Sequence, residues 1–418
     1  MTAKGEQVTG LLPIGDALDA VLAEVEPLPT ERVPLLEALG RAAGADVVAA
    51  ERVPSFDNSA MDGYAVRGGE LAAGRRTFRV VVEVPAGRYV AEPVGVHEAA
   101  KIMTGAPLPP GVDTVVPVEL TAQAGDQLTV REPVAPGTNV RRAGEDVAPG
   151  DVVLPRGARI GPAEAGLLAS VGVTELEVAR RPRVAILATG SELVAPGGAV
   201  GPGQIRDSNS FTAYGQVVDA GAEPVMLGIA RDDPDETRRL IAAALEHDVA
   251  LTSGGVSVGE FDFVKQIQEE LGVERRFWGV KAKPGKPLAF GVRGRTLVFG
   301  VPGNPVAAMV SFELYIRPAL LALQGRADLF RPWVSAAAAE PVRGTKERVE
   351  ARRCRLERRD RGWVFTTTGP QGSGILRSMA LADGLAFIPA GHPGAAPGES
   401  FVVMLLDGAS RERPPFPS

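Results

Sequence analysis

Cysteine is almost absent from this chain, because Cys354 is the only one in 418 residues. A single cysteine excludes an intrachain disulfide and any zinc site built from several cysteines. Since it lies within RRCRLERR, a predicted strand, we expect a packed and inert thiol. Histidine is nearly as rare, and the three histidines are scattered at positions 97, 247 and 392. None lies in a metal-ligand spacing, and a Ser-His-Asp hydrolase has no support.

Long basic blocks, long apolar runs and a signal-like N-terminus are also missing. The net charge is −6, so a nucleic-acid partner is not expected. The first residues, MTAKGEQVTGLL, lack the apolar core of a signal peptide, and no run of about 18 apolar residues could span a bilayer. The sequence therefore predicts a soluble cytoplasmic protein with no membrane partner. The proline-rich tail RERPPFPS is expected to be disordered.

The chain is long enough for several cores, because 418 residues exceed the roughly 250–300 at which single cores stop growing. Helical patterns over 1–50 and 147–180 predict a linker domain. Short β-type runs broken by glycine and proline predict an inserted β-rich domain over 51–146. Alternating strands and helices over 181–326 predict a parallel α/β domain. The β-type runs that return over 327–412 predict a small barrel or sandwich.

The predicted α/β domain has clear start signals for its helices. Asp233 is expected to cap a helix in which Pro234 is first and Glu236 completes a capping box. Asn304 is expected to cap the long helix that begins at Pro305. The strands of this domain are VAILA (184–188), PVMLGIA (224–230), DVALTS (248–253) and TLVFGV (296–301).

The segment SFDNSAMDGYAV at 55–66 places two aspartates, an asparagine and a glycine between aromatic and methionine side chains. It shows neither the alternation of a strand nor the period of a helix. This pattern predicts an ordered functional loop that holds a metal or steers groups around an anionic substrate. A tight turn that uses Asp57, Asn58 and Gly63 only for its geometry is the alternative.

Three glycine-containing loops each follow a predicted strand: TGSE at 189–192, TSGG at 252–255 and PGNP at 302–305. Open parallel sheets bind ligands at the carboxyl ends of their strands. Glycines allow close backbone approach, and helix N-termini present free N–H groups to anions. The three loops together predict a phosphate-binding crevice. None is a P-loop or a GxGxxG fingerprint, so an ATPase or a nicotinamide enzyme is disfavoured.

The run KAKPGKP at 281–287 places three lysines on a stiff, bent segment. Lysine binds phosphate or other oxyanions as a compact point charge, although a solvated basic turn would have the same composition. Acids in ligand-like loops are expected to face these lysines, and hard oxygen ligands suit Mg²⁺ bound jointly with phosphates. Each acid could instead be a helix cap or a surface charge. These acids are Asp62, Asp146, Glu192, Asp232 and Asp262.

Taken in order, nine segments resemble the molybdopterin molybdenumtransferase family, the MoeA and gephyrin E-domain type. Small departures are Ser55, where the family often has proline, and the phenylalanines on either side of Asp262, where tyrosine is common. The segments are FDNSAMDGYAV (56–66), KIMTGAPLPPGVDTVVPVE (101–119), RRAGEDV (141–147), LATGSELV (187–194), GQIRDSNS (203–210), TSGGVSVGEFDFVK (252–265), KPGKP (283–287), VFGVPGNPVAAMVSFE (298–313) and QGSGILRSMALADGL (371–385).

The resemblance implies a helical linker region with an inserted β domain, a parallel α/β/α molybdopterin-binding domain and a C-terminal β-barrel. It also implies a homodimer whose active site lies between the α/β domain of one subunit and the inserted domain of the other. The implied reaction inserts molybdate into adenylylated molybdopterin, with Mg²⁺-dependent release of AMP, to give molybdenum cofactor. A molybdopterin adenylyltransferase and apo-molybdoenzymes are implied as further partners.

The resemblance also assigns roles to residues at matching positions. The implied metal ligands are Asp62, Glu192, Asp232 and Asp262. The implied catalytic residues are Asp62, Thr104, Asp146, Glu192, Asp262, Lys283 and Lys286. The implied substrate-binding residues are Thr189, Gly190, Ser191, Ser208, Asn209, Ser253, Gly254, Gly255, Ser257, Gly259, Pro302, Gly303, Asn304, Pro305 and Ser373.

Two other functions remain open at this stage. Molybdopterin adenylyltransferases share the α/β domain, but they lack the SAMDGYA and MTGAP segments and the C-terminal β domain found here. A non-catalytic molybdopterin-binding scaffold is the second alternative, although the acids and lysines are intact. The choice between molybdate and tungstate is not readable from the sequence, because it depends on fine loop geometry.

Overall fold

The computed structural model describes residues 10–254, 263–344, 347–360 and 362–417. The linker part combines residues from before and after the inserted segment, and a small core around Val33, Ala38 and Leu168 holds them together. Its elements are helix Ile14–Ala23, strand Thr30–Pro34 paired with Glu175–Ala179, the 3₁₀ turn Leu35–Ala38, strand Val47–Val48 paired with Val152–Leu154, and helix Pro162–Ser170.

The inserted segment folds as a mixed six-stranded sheet. Strand Gly63–Val66 lies second in this sheet and is buried along its whole length. The expectation that SFDNSAMDGYAV contains no core strand is therefore wrong for its second half, because a strand covered on both faces has no alternation to detect. In sheet order the strands are Thr114–Pro117, Gly63–Val66, Glu98–Ile102, Thr77–Val84, Gln127–Val130 and Thr121–Ala124; the outlying elements are helix Gly68–Ala72, the 3₁₀ turn Val118–Leu120 and the pair Asn58–Ser59 with Val140–Arg141.

The predicted parallel α/β/α layer is confirmed. Helices Pro234–Ala244 and Phe263–Glu270 cover one face of a six-stranded sheet, and helix Asn209–Asp219 packs on the other face. Strand Ala289–Arg293 runs antiparallel to the four parallel strands, and the edge strand Glu274–Trp278 is antiparallel to Ala289–Arg293, so it runs in the same direction as those four. In sheet order the strands are Glu223–Ala230, Arg183–Thr189, Val249–Ser253, Thr296–Val301, Ala289–Arg293 and Glu274–Trp278; the small pair Leu193–Val194 with Ile205–Arg206 lies outside the sheet.

Helix caps in this layer follow the sequence only in part. The Asp233 carboxylate accepts from the N–H groups of Asp235 and Glu236, as predicted. The predicted capping box is wrong, because the Glu236 carboxylate accepts from the N–H of Arg231 at 3.3 Å, and the N–H of Asp233 already donates to the Arg231 carbonyl. Asn304 occupies the N-cap position before Pro305, as predicted, but its side chain makes no capping hydrogen bond.

A continuous helical stretch from Pro305 to Leu323 is long and apolar enough to cross a membrane. The expectation that no such run exists is therefore wrong by length and composition. Of its most apolar window, 89% is buried inside the protein, which is the position of a core helix. The stretch comprises helix Pro305–Ser311, the π-helical turn Phe312–Ile316 and helix Arg317–Leu323.

The C-terminal part contains a closed barrel of five strands. Pairing of Val349–Arg359 with Gly384–Ile388 closes the ring. The strands around the barrel are Val349–Arg359, Gly362–Thr367, Trp333–Ala338, Ser400–Leu405 and Gly384–Ile388; helix Leu376–Ala380 and the pair Val342–Arg343 with Gly394–Ala395 accompany them. Cys354 is buried in the barrel wall, where burial raises the pKa of its thiol to about 12, so the prediction of a packed thiol is confirmed.

The expectation of a disordered C-terminal tail is wrong. Arg413 donates to the Asp19 carboxylate and to the carbonyl of Gly15, both at 2.6 Å. The ring of Phe416 packs edge-on against Phe387, with centroids 5.3 Å apart. Two anchors therefore tie the tail to the first helix and to the barrel, which proline content alone could not reveal.

An ion pair fixes the linker part to the α/β part. Both guanidinium nitrogens of Arg180 donate to the Asp248 carboxylate, at 2.7 and 2.9 Å, and the N–H of Arg183 donates to it at 2.8 Å. Burial raises the pKa of Asp248, but the hydrogen bonds from Arg180 and Arg183 outweigh burial, so the net pKa lies below the usual value. The ionised form of Asp248 is therefore the one that stabilises the fold.

We expect Asp248→Asn to lower the free energy of unfolding at pH 7 by about 1–2 kcal/mol, after discounting for partial exposure of Arg180. Because the pKa of Asp248 is lower in the folded state, this carboxylate stabilises the fold above its unfolded-state pKa of about 3.9. That stabilisation is lost as the pH falls through the folded-state pKa. The difference between wild type and variant should therefore shrink below about pH 4. Urea unfolding at pH 7 and pH 3 measures it, and an unchanged difference would contradict this role.

Candidate functional site

A cleft of about 670 Å³ opens at the carboxyl ends of three parallel strands of the α/β part. Predicted site residues from all three loops reach it, and so do two residues from the start of helix Asn209–Asp219. Among the predicted residues, the cleft is lined by Glu192, Ser208, Asn209, Ser253, Gly254, Pro302, Gly303, Asn304 and Pro305; it is also lined by Leu193, Ile205, Arg206, Asp207, Pro287 and Gly374.

Hydrogen bonds between the loops fix the floor of the cleft. The N–H of Gly254 donates to the Val301 carbonyl at 3.2 Å, and the Thr189 hydroxyl donates to the Ser253 carbonyl at 3.1 Å. Parallel register places these three strand ends side by side. The convergence predicted from the sequence thus follows directly from the sheet order.

Gly254 occupies a place where only glycine fits. Its φ is +88°, and a Cβ there would lie 2.6 Å from the Thr189 carbonyl oxygen. Gly303 provides a matched contrast on the same cleft wall, because a Cβ added to it would meet nothing within 4 Å.

We therefore expect Gly254→Ala to destabilise the protein by about 1–3 kcal/mol, through backbone strain and the clash with Thr189. Gly303→Ala should stay within about 0.5 kcal/mol of wild type. Thermal unfolding of both purified variants checks this. Equal melting temperatures for the two variants would show that the close approach at Gly254 is not needed.

Two acidic residues near the cleft lie at its first loop. The carboxylate of Glu192 folds back over Gly190, where a Cβ would lie 2.3 Å from Oε2. The N–H of Asp232 donates to the Ser191 hydroxyl at 3.0 Å, which ties the following loop to this one. Glu192 is exposed, and no ion pair holds it within the described ranges. Its carboxylate is therefore available to a ligand.

Two helices begin at the cleft. Asn209, the first residue of helix Asn209–Asp219, donates its side-chain N–H to the Gly303 carbonyl at 2.9 Å. Its buried Oδ1 has no hydrogen-bond partner. Helix Pro305–Ser311 also begins at the cleft. Such termini attract anions.

The C-terminal part contributes one edge of the cleft. The carbonyl of Ser373 accepts from the N–H of Val306 at 3.0 Å, and the neighbouring Gly374 lines the cleft. Behind this segment, the buried Arg353 donates to the Ser378 hydroxyl and to the Gly372 carbonyl. Sequence reasoning named Ser373 but missed Gly374, for which only the GSG spacing gave a signal.

The lysine segment has a partner that sequence reasoning missed. Lys283 pairs with the buried carboxylate of Glu350, with 2.9 Å between Nζ and Oε1. Glu350 was not among the acids predicted to face the lysines, and the placement of those predicted acids opposite the lysines stays a prediction. Lys286 is exposed, and its neighbour Pro287 lines the cleft.

Asp62 and Thr104 come together on the inserted part. The backbone N–H and the hydroxyl of Thr104 donate to one Asp62 oxygen, at 2.7 and 2.8 Å. These two bonds, the backbone one foremost, lower the pKa of the exposed Asp62. The second carboxylate oxygen remains open to a ligand. The side chain of Asp146 makes no hydrogen bond among the described residues, and its N–H donates to the Val53 carbonyl.

Among the described residues, the inserted part is hydrogen-bonded to itself and to its flanking linker. Over the residues that the structure describes, no hydrogen bond or ion pair joins 51–146 to 181–326. The contacts that leave it run through Val53 to Val147. Asp62 and the cleft therefore lie on parts of the chain that share no hydrogen bond or ion pair over the described residues.

No group of three or more histidine, cysteine, aspartate or glutamate side chains in the described residues could hold a metal ion by itself. A metal would therefore need oxygen atoms from the ligand in addition to protein carboxylates. Four of the predicted site residues, Gly255, Ser257, Gly259 and Asp262, lie outside the described residues.

The fold and the cleft define a multidomain protein whose parallel α/β layer opens a cleft at its strand ends, the place where open parallel sheets bind ligands. Three family models match in order: the MoeA N-terminal region (domain I and II) over 12–172, a probable molybdopterin binding domain over 185–322, and the MoeA C-terminal region (domain IV) over 335–406. The chain belongs to the molybdopterin molybdenumtransferase (MoeA) family.

Similar proteins extend over most of the chain. Molybdopterin molybdenumtransferase 2 of Mycobacterium tuberculosis is 40% identical over 372 residues, covering 85% of this chain and 90% of its own. The molybdopterin molybdenumtransferase of Staphylococcus aureus is 31% identical over 406 residues, covering 96% and 97%. A solved molybdopterin biosynthesis MoeA protein from Pyrococcus horikoshii is 30% identical, with a TM-score of 0.82, and covers 95% of this chain and all of its own. The predicted fold class and family are confirmed.

Proposed function

We propose that this protein inserts molybdate into the dithiolene of adenylylated molybdopterin and releases AMP, giving molybdenum cofactor. Membership of the molybdenumtransferase family supports the transfer of molybdenum to molybdopterin. The single observation that supports an adenylylated substrate is the cleft, where glycine loops and two helix N-termini surround a volume of about 670 Å³. Such a cleft suits an elongated ligand with phosphate groups.

The cleft residues would bind the ligand through several kinds of group. The glycine loops and the positive ends of helices Asn209–Asp219 and Pro305–Ser311 would attract the phosphates. The hydroxyls of Ser191, Ser208 and Ser253 would add donors around these groups.

The donor set suits Mg²⁺ bound jointly with substrate phosphates. Glu192 offers an exposed carboxylate without an ion-pair partner in the described ranges, and Mg²⁺ commonly uses one or two carboxylates plus phosphate oxygens. In this proposal Glu192 and Asp232 hold the ion on the cleft side, with Asp62 and Asp262 as further ligands. Bound there, Mg²⁺ would neutralise charge as the phosphoanhydride breaks.

The proposal takes the second half of the site from another copy of the chain. Asp62 and Thr104 form an exposed, preorganised pair on a part that has no hydrogen bond to the α/β part over the described residues. A C₂ homodimer would bring this pair from one protomer to the cleft of its partner and would form two equivalent sites. The proposal divides the chain into a linker part at 1–50 and 147–180, an inserted part at 51–146, an α/β part at 181–326 and a C-terminal part at 327–412.

Molybdate is an oxyanion, so we assign its binding to the lysine side of the site. Lys283 and Lys286 supply compact positive charge, and hydroxyl and N–H donors complete a shell for an oxyanion. A cytoplasmic protein that takes its substrate from a molybdopterin adenylyltransferase and passes its product to apo-molybdoenzymes fits this chemistry.

The direct test is AMP release from adenylylated molybdopterin by the purified protein. We expect release to require both molybdate and Mg²⁺, and tungstate in place of molybdate reports the oxyanion preference. Metal-free molybdopterin with ATP tests the adenylyltransferase alternative in the same assay. Binding of adenylylated molybdopterin without AMP release under any of these conditions would indicate a scaffold and would contradict the proposal.

A further inference from the structure

The segment that carries Lys283 is fastened to the C-terminal barrel. Strand Ala282–Lys283 runs parallel to strand Val349–Arg359, with Lys283 directly opposite Glu350. The N–H of Val349 donates to the Lys281 carbonyl at 3.2 Å. The barrel therefore sets the backbone position of a lysine that belongs to the α/β part.

A buried carboxylate at this junction holds two cations at once. Glu350 has 6% of its side chain exposed, and its Oε1 lies 2.9 Å from the Lys283 ammonium. Its Oε2 accepts from Nε of Arg352 at 3.0 Å. Arg352 is buried as well and also donates to the Arg343 carbonyl. The three side chains carry one net positive charge, because two cations share one anion.

The lysine end of this group faces solvent. Half of the Lys283 side chain is exposed, at 51%. A free lysine has four rotatable bonds and loses considerable rotamer freedom when it binds an anion. A fixed carboxylate opposite its backbone limits Lys283 to the rotamers that reach Oε1. The ammonium is then held in place before an anion arrives, which lowers the entropic cost of binding.

We propose that Glu350, from the C-terminal barrel, is a positioning residue that orients the Lys283 ammonium for oxyanion binding. The inference rests on the proposed function, in which Lys283 contacts molybdate or phosphate oxygens. Glu350 does not touch the substrate. It acts through Lys283, and this gives the barrel a part in the chemistry of the α/β cleft.

If Glu350 served only to stabilise the fold, it would act through Arg352 alone. Removing the Glu350 charge leaves a buried guanidinium without its carboxylate, which destabilises a fold whatever Lys283 does. The two roles differ in one respect. Positioning makes the effect of Glu350 on activity depend on the presence of the lysine side chain, whereas support of Arg352 does not.

A double-mutant cycle separates them. Glu350→Gln, Lys283→Ala and the double variant are assayed for molybdate-dependent AMP release across molybdate concentrations. We expect Glu350→Gln to raise the KM for molybdate by about tenfold with a smaller change in kcat, and to change it less than about twofold in the Lys283→Ala background. Glu340→Gln is the control, because this barrel carboxylate binds the N–H and hydroxyl of Thr367 and should leave KM unchanged.

An equal effect of Glu350→Gln in both backgrounds would overturn the positioning role and leave the proposed function intact. Wild-type activity in Lys283→Ala would instead show that Lys283 takes no part in the site, and this inference would then lose its basis. If Glu350→Gln does not fold, Glu350→Asp replaces it, since it keeps a charge beside Arg352 and shortens the reach to Lys283 by one methylene. The same dependence on the lysine is expected for Glu350→Asp, and its absence would overturn the role.

Discussion

Replacing Asp62 with alanine is expected to lower molybdate-dependent AMP release by about 100-fold or more, the size of effect seen when a preorganised charged or polar group is removed from a reacting centre. Asp62 already has one oxygen fixed by Thr104 and is kept ionised by those bonds. Alanine removes the carboxylate without disturbing a core, because the residue is exposed. Folding should therefore be unaffected.

The measurement compares Asp62→Ala with Asp126→Ala, an exposed acid in a turn of the same inserted sheet. The control should keep wild-type AMP release, and both variants should keep the wild-type melting temperature. Asp262→Ala is included, because it is the other acid proposed to couple AMP release to insertion. Full activity in both Asp62→Ala and Asp262→Ala would show that this coupling assignment is wrong.

Glu313→Ala should lower the free energy of unfolding by about 3–5 kcal/mol, the usual cost of breaking a buried ion pair on one side. Glu313 and Arg331 each have 5% of their side chains exposed, and Oε2 lies 2.8 Å from Nε. The other Glu313 oxygen accepts from Gln216 at 2.9 Å. Nearby, the pKa of Arg317 is lowered to about 10, chiefly by burial and also by Arg331, while Glu313 acts in the opposite direction.

Loss of Glu313 therefore leaves two buried arginines with one fewer anion. Glu175→Ala provides the matched control, because it breaks the exposed pair with Arg32, whose side chains are 72% and 52% exposed in the order Arg32, Glu175. That change should cost less than about 1 kcal/mol. Chemical unfolding of the two variants measures the difference, and equal costs would contradict the importance of the buried pair.

The α/β layer and the cleft could be predicted because local signals set both. Each loop follows a strand whose apolar run is visible in the sequence, and parallel strand ends must share one edge. The three loops at Glu192, Gly254 and Gly303 therefore meet as expected. The Glu313 pair also left a signal, since one acid inside an apolar helical run implies a buried partner.

Other contacts could not be predicted because they depend on register between distant segments. Lys283 meets Glu350 through a two-residue strand, although the two residues are 67 positions apart in the sequence. No local sequence pattern indicates that pairing. The hydrogen bond from Thr104 to Asp62 joins positions 42 apart. The sequence pointed to both residues as site residues but not to their contact. The buried strand Gly63–Val66 was hidden because a doubly covered strand shows no alternation.

The central claim is that Asp62 of one copy completes the cleft of another. Co-expressing Asp62→Ala and Glu192→Ala chains with different tags, followed by tandem purification, gives dimers with one variant of each kind. If the site is shared, each such dimer contains one site with both changes and one with neither, so we predict about half of wild-type AMP release. Failure to capture a mixed dimer, or activity no higher than that of the single variants, would contradict a shared site.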